Sequence, residues 1–591
     1  MAVRQVIPAN LAQMAPGPQL SALLAAIDIS ALTGSDVVEV LRARARQLSH
    51  EQARLLATMV EVGLCDPDAN NDEVARLAES PPYAADEIRA ALSWTRRAAD
   101  RELDFAETLV VRMPAVFTAL EAGKICRSKA WVLADLCSDL TPEQIDVICA
   151  RVLPHAEKLT TGELAARIKK LAIALDPQWA ARRYATAVRE RNVIGYLDPD
   201  GTATVTGTGL PVEQAATACA HVEELARAAK RAGHPSRIGP LRADIYLGLL
   251  EGRWQHHTRD EIITDLLTNA ICDAESAANP DHPGEPDLAP ATDATAGDSP
   301  TAGRPRAQRV GVEVRVNLST LLGLDQQPGE VPGWGPVPAH VARTIVAAQR
   351  AAEWRFAITD PAGQLLLAGI TRRRPITSEH ATSAMPPCRG GIVELRVPAA
   401  QLADLATNRE IGGAWAGIVA DLAAQYAQHI PARTWGPNAQ DPTARFAGAA
   451  LRRHVQIRDR FCVYPGCRAT ARSADLDHTL DHVLGGLTTE INSGPLCRHD
   501  HRLKTVGRWR LHQSVAGHFT WRSPLGRTYY TQPPPITHDL PEPRPRPSDP
   551  SYVAPAFPED DETPILERPP PAPAPPPPPT TPPDSDEPAP F

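Results

Sequence analysis

No apolar run in this chain approaches the ~20 residues that a membrane-spanning helix requires. The N-terminal MAVRQVIPANLAQMAPGPQL also lacks the charged-then-apolar pattern of a signal peptide. A cytoplasmic protein without a membrane partner is therefore expected. Ten cysteines in 591 residues are too few and too scattered for a disulfide framework. Seven of them, Cys65, Cys126, Cys137, Cys149, Cys219, Cys272 and Cys388, fall in mostly apolar helical surroundings and read as reduced, buried small residues. An excess of positive charge is missing too: 61 Lys and Arg stand against 70 Asp and Glu, a net charge of −9, which argues against nonspecific binding of polyanions by the chain as a whole. There is no Walker loop, dinucleotide fingerprint, nucleophile elbow or heptad series.

What the chain does have is length and apolar content, since 591 residues with 43% apolar side chains should hold more than one domain. After a flexible N-terminus over 1–30, apolar positions recur at helical spacing. The stretch from Asp86 to Val111 carries Ile88, Leu92, Ala98 and Leu103 with Arg and Asp between them and predicts a helix. Ser128 to Trp131 opens another, and Thr141-Pro142-Glu143-Gln144 reads as a cap followed by Pro at the first helical position. The period then switches: NVIGYLDPDGTATVTG alternates around Asp198-Pro199-Asp200-Gly201, a hairpin signal, before further helices over about 211 to 274.

Residues 31–274 thus read as one helical region, and 275–308, almost without large apolar side chains, as a disordered linker. A strand in VGVEVRVNLSTLLGL, a helix in PAHVARTIVAAQRAAEW and a hairpin in RFAITDPAGQLLLAGI mark an α/β segment over 309–435, in which Trp334 reads as a core or loop anchor. A small module follows at 440–530. From Gln532 onward 24 of the 59 prolines accumulate, so 532–591 reads as a disordered, partly polyproline II tail open to a protein partner with an aromatic groove. The expected class is a multidomain α+β protein.

Chemistry concentrates in the module. Cys462 and Cys467 flank a Tyr-Pro-Gly turn that brings two thiolates to one point, and Cys497 arrives 30 residues after Cys467. A pair, an intervening segment and a second ligand cluster suit a tetrahedral structural zinc site. The fourth ligand is Asp500 or its neighbour His499. Between the halves of this clasp lie Asp477-His478 and Asn492, with His501 just beyond. Read as strand, turn, strand and helix, the segment puts Asp477 and His478 at the end of one strand, Gly485-Gly486 at the hairpin turn, and His501 on the helix. One carboxylate, a free imidazole, an amide and a second imidazole around a groove suit phosphodiester hydrolysis, in which a divalent cation neutralises phosphate charge while a metal-free His takes a proton from water.

Charge reverses locally in support of this. From Arg445 to Tyr530 there are fourteen Arg or Lys and six Asp or Glu. Arg452, Arg453, Arg458 and Arg460 precede the clasp, and Arg498, Arg502, Lys504, Arg508 and Arg510 follow it, the footprint expected for phosphate contacts.

Asp477-His478, Gly485-Gly486, Asn492, Leu496-Cys497 and His501-Arg502-Leu503-Lys504 together resemble the HNH endonuclease motif of the ββα-metal nucleases, in its zinc-stapled form. The flanks, Phe461-Cys462 through Pro465-Gly466-Cys467 and Trp509 with LHQSVAGHFTWRSPLGRTYY, resemble the version common in actinobacterial proteins, where the module follows a region known as domain of unknown function 222. The likeness runs from roughly residue 30 to 530. It implies His478 as the general base, Asp477 and His501 as ligands of a catalytic divalent ion (Mg, Mn, Ni or Zn), and Asn492 as a residue that fixes the base-bearing loop or contributes to the metal site. Arg498, Arg502 and Lys504 become nucleic-acid contacts, and DNA, or RNA, the partner. His482 has no assigned part in the motif and is a candidate substrate or metal contact. Two departures stand out: Asp500 occupies a position where a zinc-ligating Cys or His is usual, and Ser493 follows Asn492 where Leu is commoner. The alternative is a zinc-containing nucleic-acid-binding protein without cleavage activity.

Overall fold

The computed structural model describes residues 5–69, 74–277, 310–376, 388, 390–408, 413–432, 441–538 and 540. The expected linker lies outside these from residue 278, as does the proline-rich tail from 541. The fold is mixed α+β and divides into two compact units, 1–209 with 310–541, and 210–309 with 542–591.

In the first unit a helical bundle comes first: α1 (Pro18–Ala25), α2 (Ser35–Leu64), α3 (Ala84–Leu92), α4 (Arg96–Glu107), α5 (Pro114–Glu121), α6 (Arg127–Leu136), α7 (Pro142–Ala156), α8 (Thr161–Leu175) and α9 (Trp179–Arg189). Its core is aliphatic, with Leu56, Leu103, Leu109, Leu133, Ile148 and Ile168 buried together. Thr141 with Gln144 and Thr160 with Glu163 close capping boxes at the starts of α7 and α8, each satisfying backbone donors the helix leaves free. The flexible N-terminus expected over 1–30 is corrected: Leu11, Leu20 and Leu24 fall on one face and bury against Val40 and Ala43 of α2. The helix predicted over 86–111 breaks at Ser93, which takes a left-handed φ of 55°, and restarts at Thr95, whose side chain accepts from the Ala98 N–H. That break turns α3 away from the bundle axis of α4. The hairpin β1 (Asn192–Leu197) and β2 (Ala203–Thr208) follows, its turn residue Gly201 at φ 85°.

The second unit contains α10 (Val212–Arg231), α11 (Ile238–Leu250) and α12 (Arg259–Ala277), packed through Leu225, Leu241, Ile245, Trp254 and Leu266. Glu223 joins α10 to α11 by pairing with Arg242, and Trp254 donates to Asp265 of α12.

Back in the first unit come β3 (Glu313–Asn317), the single turn α13 (Leu318–Leu321), β4 (Gly329–Val331), β5 (Gly335–Val337), α14 (Ala339–Ala348), β6 (Glu353–Thr359), β7 (Leu365–Ile370), β8 (Ile392–Pro398), α15 (Ala399–Thr407) and α16 (Ala416–Ala432). The strands form one sheet of order β5-β4-β3-β8-β6-β7, with β8 parallel to both neighbours. Trp334, between β4 and β5, lies so close to Gly195 of β1 that a Cβ there would come within 2.6 Å of its ring. One sheet face buries Val314, Val316, Val393, Leu395 and Val397 in an aliphatic core that includes Val346, Leu402, Ile418 and Leu422 of α14, α15 and α16. The alternating residues Arg315, Glu394 and Arg396 are nevertheless buried as well.

What covers them is the C-terminal module: α17 (Ala449–Asp459), β9 (Asp475–His478), β10 (Ser493–Leu496), α18 (Arg498–Val506), β11 (Arg510–Val515), β12 (His518–Arg522) and β13 (Thr528–Thr531). Arg460 at the end of α17 places Nη1 2.6 and 2.7 Å from the two Glu394 oxygens. Burial works to raise the Glu394 carboxyl, but Arg460, Arg315 and Arg396 outweigh it and hold it at about 2. The expected tail also starts later than residue 532. Ile536 is buried against Ala357 and Ile457, and Thr537 hydrogen-bonds Thr359, because one large apolar side chain follows the prolines and finds a pocket.

A group held below its unfolded pKa stabilises the fold above that unfolded value and loses the contribution as pH falls through the folded one. Glu394→Gln should cost about 3 kcal/mol at neutral pH, because it strands buried guanidinium groups. A urea midpoint unchanged from wild type would contradict this. The wild-type advantage should shrink between about pH 4.5 and 2.

Candidate metal centre

The turn Cys462-Val-Tyr-Pro-Gly-Cys467 is shaped by Gly466 at φ 71° and closed by the Cys467 N–H donating to the Tyr464 carbonyl. Cys497 is the N-cap of α18 and Asp500 its third residue, so their side chains face one another as a capping pair does. Cys462, Cys467, Cys497 and Asp500 bring their ligand atoms within 4.8 Å of one another and could hold a metal ion. Cys462 and Cys497 Sγ each lie 3.1 Å from Asp500 Oδ2. Hydrogen bonds from Cys462 and Cys497 push the Cys467 thiol down, while burial pushes the Cys462 thiol and the Asp500 carboxyl up. Three soft sulfurs and one hard oxygen in a compact tetrad, Cys462 and Asp500 buried and Cys467 and Cys497 half-buried, fit a structural divalent ion. Of the two alternatives for the fourth donor, Asp500 joins the cluster. His499 turns to Asp86, with Nε2 3.0 Å from Oδ2, and that contact raises its pKa.

Asp86 belongs to α3, and the participation of this N-terminal helix escaped sequence reading. Arg89, one turn on, donates to Asp500 Oδ1 at 2.9 Å and to Asp86 Oδ1 at 3.0 Å. The Tyr464 hydroxyl donates to the Asp86 carbonyl, and the Leu525 N–H donates to Glu87. Ala90 enters the module's own core beside Tyr464, Leu496, Leu503, Trp509, Phe519 and Trp521. Sequence offered no signal for this docking; the structure shows it in the burial of Asp86, Glu87 and Arg89 together with the apolar stripe of the same helix.

The second constellation sits on the next face of the same frame. β9 and β10 pair antiparallel, with His478 opposite Ser493 and Asp477 opposite Gly494. Gly485-Gly486 is not a tight hairpin turn. It lies within a 14-residue connection containing two short 3₁₀ turns, where Gly485 has φ 90° and a Cβ on Gly486 would fall 1.9 Å from the Leu480 carbonyl oxygen. Asn492 ties this loop down: its Oδ1 accepts from the Leu480 N–H at 2.7 Å, and its Nδ2 donates to the Leu480 and Leu487 carbonyls. The loop exposes Leu480, Val483, Leu484 and Leu487.

His501 and Lys504 project from one face of α18 toward β9. His501 Nε2 lies 3.4 Å from Asp477 Oδ1, and its Nδ1 is 3.1 Å from Asp475. His478, next to Asp477 and therefore on the other face of the strand, places Nε2 2.7 Å from the Thr488 hydroxyl, which itself donates to the Ala444 carbonyl at 2.5 Å. The single hydroxyl proton is thus committed, which assigns the proton on His478 to Nε2 and the lone pair to Nδ1. Burial lowers the His478 pKa, with His482 and Lys504 acting in the same direction. His482 Nε2 lies 3.1 Å from the Thr443 carbonyl, and its ring is 5.7 Å from that of His478.

The basic footprint read from sequence needs correction. Arg458 and Arg460 are buried: the first clasps Asp459 and the Glu490 and Ser493 carbonyls, the second Glu394. Arg508 pairs with Asp68. Lys504, expected to meet phosphate, bridges Asp477 and Asp481 at 2.8 and 2.7 Å and also donates to the His478 carbonyl. Local density of charge does not distinguish cations already neutralised by carboxylates from cations facing solvent. Arg498 and Arg502 are exposed on α18. The scattered cysteines also divide: Cys137 and Cys149 are buried and raised to about 12 and 11 by that burial, whereas Cys65 and Cys126 are exposed.

The fold and this centre define a mixed α+β protein with a cysteine–carboxylate cluster near its C-terminal side. Over residues 35–379, more than half its length, the chain matches the family described as Domain of unknown function (DUF222), and it belongs to that family. It is 43% identical over 86 residues to the uncharacterized protein Rv3776 of Mycobacterium tuberculosis, 14% of this chain and 16% of that one. It is 36% identical over 119 residues to the uncharacterized protein Rv2100 of the same organism, 20% and 21% of the two chains. The chain therefore spans about a fifth or less of the length of these curated relatives. No solved structure matches it. No helix among the described residues is long and apolar enough to cross a membrane.

Full-length protein purified without chelator is expected to carry one tightly held divalent ion per chain by elemental analysis. Cys467→Ser should weaken retention by more than the roughly ten- to hundredfold typical of changes around a ligand shell. An ion-free wild type would remove the basis for the centre.

Proposed function

We propose that residues 449–531 form a zinc-stapled HNH module and that the protein is a metal-dependent endonuclease hydrolysing phosphodiester bonds in DNA. The observation that supports this best is the pairing of Asp477 and His501, Oδ1 and Nε2 3.4 Å apart, with Asp477 one residue along the chain from His478, whose ring Nδ1 makes no hydrogen bond among the described residues. Cys462, Cys467, Cys497 and Asp500 would hold the structural zinc. A divalent ion bound by Asp477 and His501 (Mg, Mn, Ni or Zn) would neutralise charge on the scissile phosphate and leaving oxygen.

The chain's own residues do the rest. His478 accepts a proton from the attacking water at Nδ1, and its lowered pKa keeps the ring neutral for that task. Thr488 fixes the tautomer by accepting from Nε2. Asn492 holds the loop that leads away from His478. Arg498 and Arg502, exposed on α18, supply phosphate contacts that position the strand without reading its sequence. A reducing, cytoplasmic compartment suits three thiol ligands. The second reading, a nucleic-acid binder without cleavage, is favoured by Lys504, whose ammonium already neutralises Asp477.

Full-length protein should nick supercoiled plasmid with one of these divalent ions and stop on addition of chelator. His478→Ala should lose about a hundredfold or more in rate while keeping its structural ion and its DNA affinity. Thr488→Val, which releases the ring, should lose about ten- to a hundredfold. Wild-type nicking by His478→Ala would sink the assignment, and DNA binding without any wild-type nicking would favour the second reading.

A further inference from the structure

We infer that Arg89, on helix α3 and 411 residues before Asp500 in sequence, is the positioning residue that makes Asp500 a metal ligand. The inference rests on the cysteine cluster holding a divalent ion, as proposed above. Asp500 is fully buried, and the Arg89 side chain is only 1% exposed. Arg89 Nη1 holds Asp500 Oδ1 at 2.9 Å, while Nη2 lies 3.4 Å from Oδ2. That leaves Oδ2 turned to the thiols of Cys462 and Cys497, 3.1 Å from each. A carboxylate can rotate and can bind a cation through one oxygen or two. Engaging Oδ1 with a rigid guanidinium fork presents the other oxygen to the cluster in one orientation.

Charge leads to the same residue. Three thiolates and one carboxylate around a divalent ion sum to −2, whereas three thiolates and a neutral histidine, a common structural shell, sum to −1. A buried guanidinium against Asp500 offsets part of that charge, although Asp86 accepts from the same Nη1. Arg89 is itself held in place: Asp86 Oδ1 accepts from Nη1 at 3.0 Å, His499 holds Asp86 from α18, and the guanidinium stacks 4.1 Å from the Tyr464 ring centre. An aspartate in this ligand position is therefore oriented by a cation from the N-terminal helix, whereas a cysteine there, with a single donor atom, would need no such orientation.

The test uses full-length protein loaded with zinc, or with cobalt for its visible bands, and follows ion loss to an excess of chelator. Arg89→Met should release the ion at least tenfold faster than wild type and alter the tetrahedral cobalt spectrum, with Arg89→Lys in between. Asp500→Cys should make position 89 nearly irrelevant, so the double variant Arg89→Met/Asp500→Cys should hold zinc as long as Asp500→Cys alone. Retention by Arg89→Met equal to wild type overturns the inference. So does a double variant that loses zinc as fast as Arg89→Met, or that fails to fold when Asp500→Cys folds, because Arg89 would then serve the fold and not the ligand. If Arg89→Met alone is insoluble and the double variant is soluble and zinc-bound, the inference stands. A wild type that takes up no metal instead removes the reading of the cluster itself, a result visible before any variant is made.

Discussion

Two buried guanidinium groups, each paired with a buried carboxylate across the module's boundary, decide where the C-terminal module stands. Arg460 meets Glu394 on the sheet, and Asp500 meets Arg89 on α3. Such pairs contribute little net stability, because desolvating the ions offsets most of their attraction. Their force is in the penalty for separation: a module shifted by one residue would leave a charge buried alone, at a cost of several kcal/mol. Aliphatic contacts do not discriminate in this way, since an apolar surface accepts many registers. Ala90, the α3 side chain in the module's core, is small and supplies little discrimination of its own. Position is set by the ions, and the apolar core fills in behind them.

A module held in this way can place two chemically different sites on one short helix. Helix α18 turns Cys497 and Asp500 toward the clasp, and His501 and Lys504 toward β9. Because one rigid helix carries both sets, anything that anchors its N-terminus also fixes how far His501 stands from Asp477. The pairing of β9 with β10 completes the frame. Gly494 lies opposite Asp477, and the Phe519 ring would be only 2.7 Å from a Cβ at that position, so the ribbon sits directly on the aromatic core. A structural ion in the clasp would therefore act on the second site through geometry, over a path of covalent bonds and packed rings.

Much of this was visible in the residues, and the rest was hidden for definable reasons. Local signals carried well: the Asp198 to Gly201 turn, the Thr141 cap, the Cys462 to Cys467 turn and the hairpin of β6 and β7 each depend on neighbours a few positions away. The docking of α3 was not readable, because the partner of Arg89 lies 411 residues downstream and no local period encodes it. The break at Ser93 was missed because a non-glycine residue in the left-handed region has no strong sequence mark. The buried arginines misled for a third reason. Arg458 and Arg460 look the same in composition as Arg498 and Arg502, and only tertiary placement separates an arginine that holds a fold together from one that faces solvent.

Lys504 shows how the two proposed ion sites would differ in character. Its ammonium contacts Asp477 Oδ2, whereas His501 Nε2 faces Oδ1 of the same carboxylate. The two oxygens are thus divided between a resident cation and the position of an incoming ion. A ligand already half neutralised attracts a divalent ion less strongly than a free carboxylate does, and with a single imidazole as its companion it leaves most coordination positions to water and phosphate oxygens. Among the described residues no cation bonds to a sulfur of the three-thiol, one-carboxylate cluster, and Arg89 bonds only to its oxygen member. On these grounds the clasp favours tight, closed binding of a soft-tolerant ion. The Asp477–His501 pair would favour loose, open binding of a harder one, the division of labour that the proposed staple and the proposed reaction centre would require of one helix.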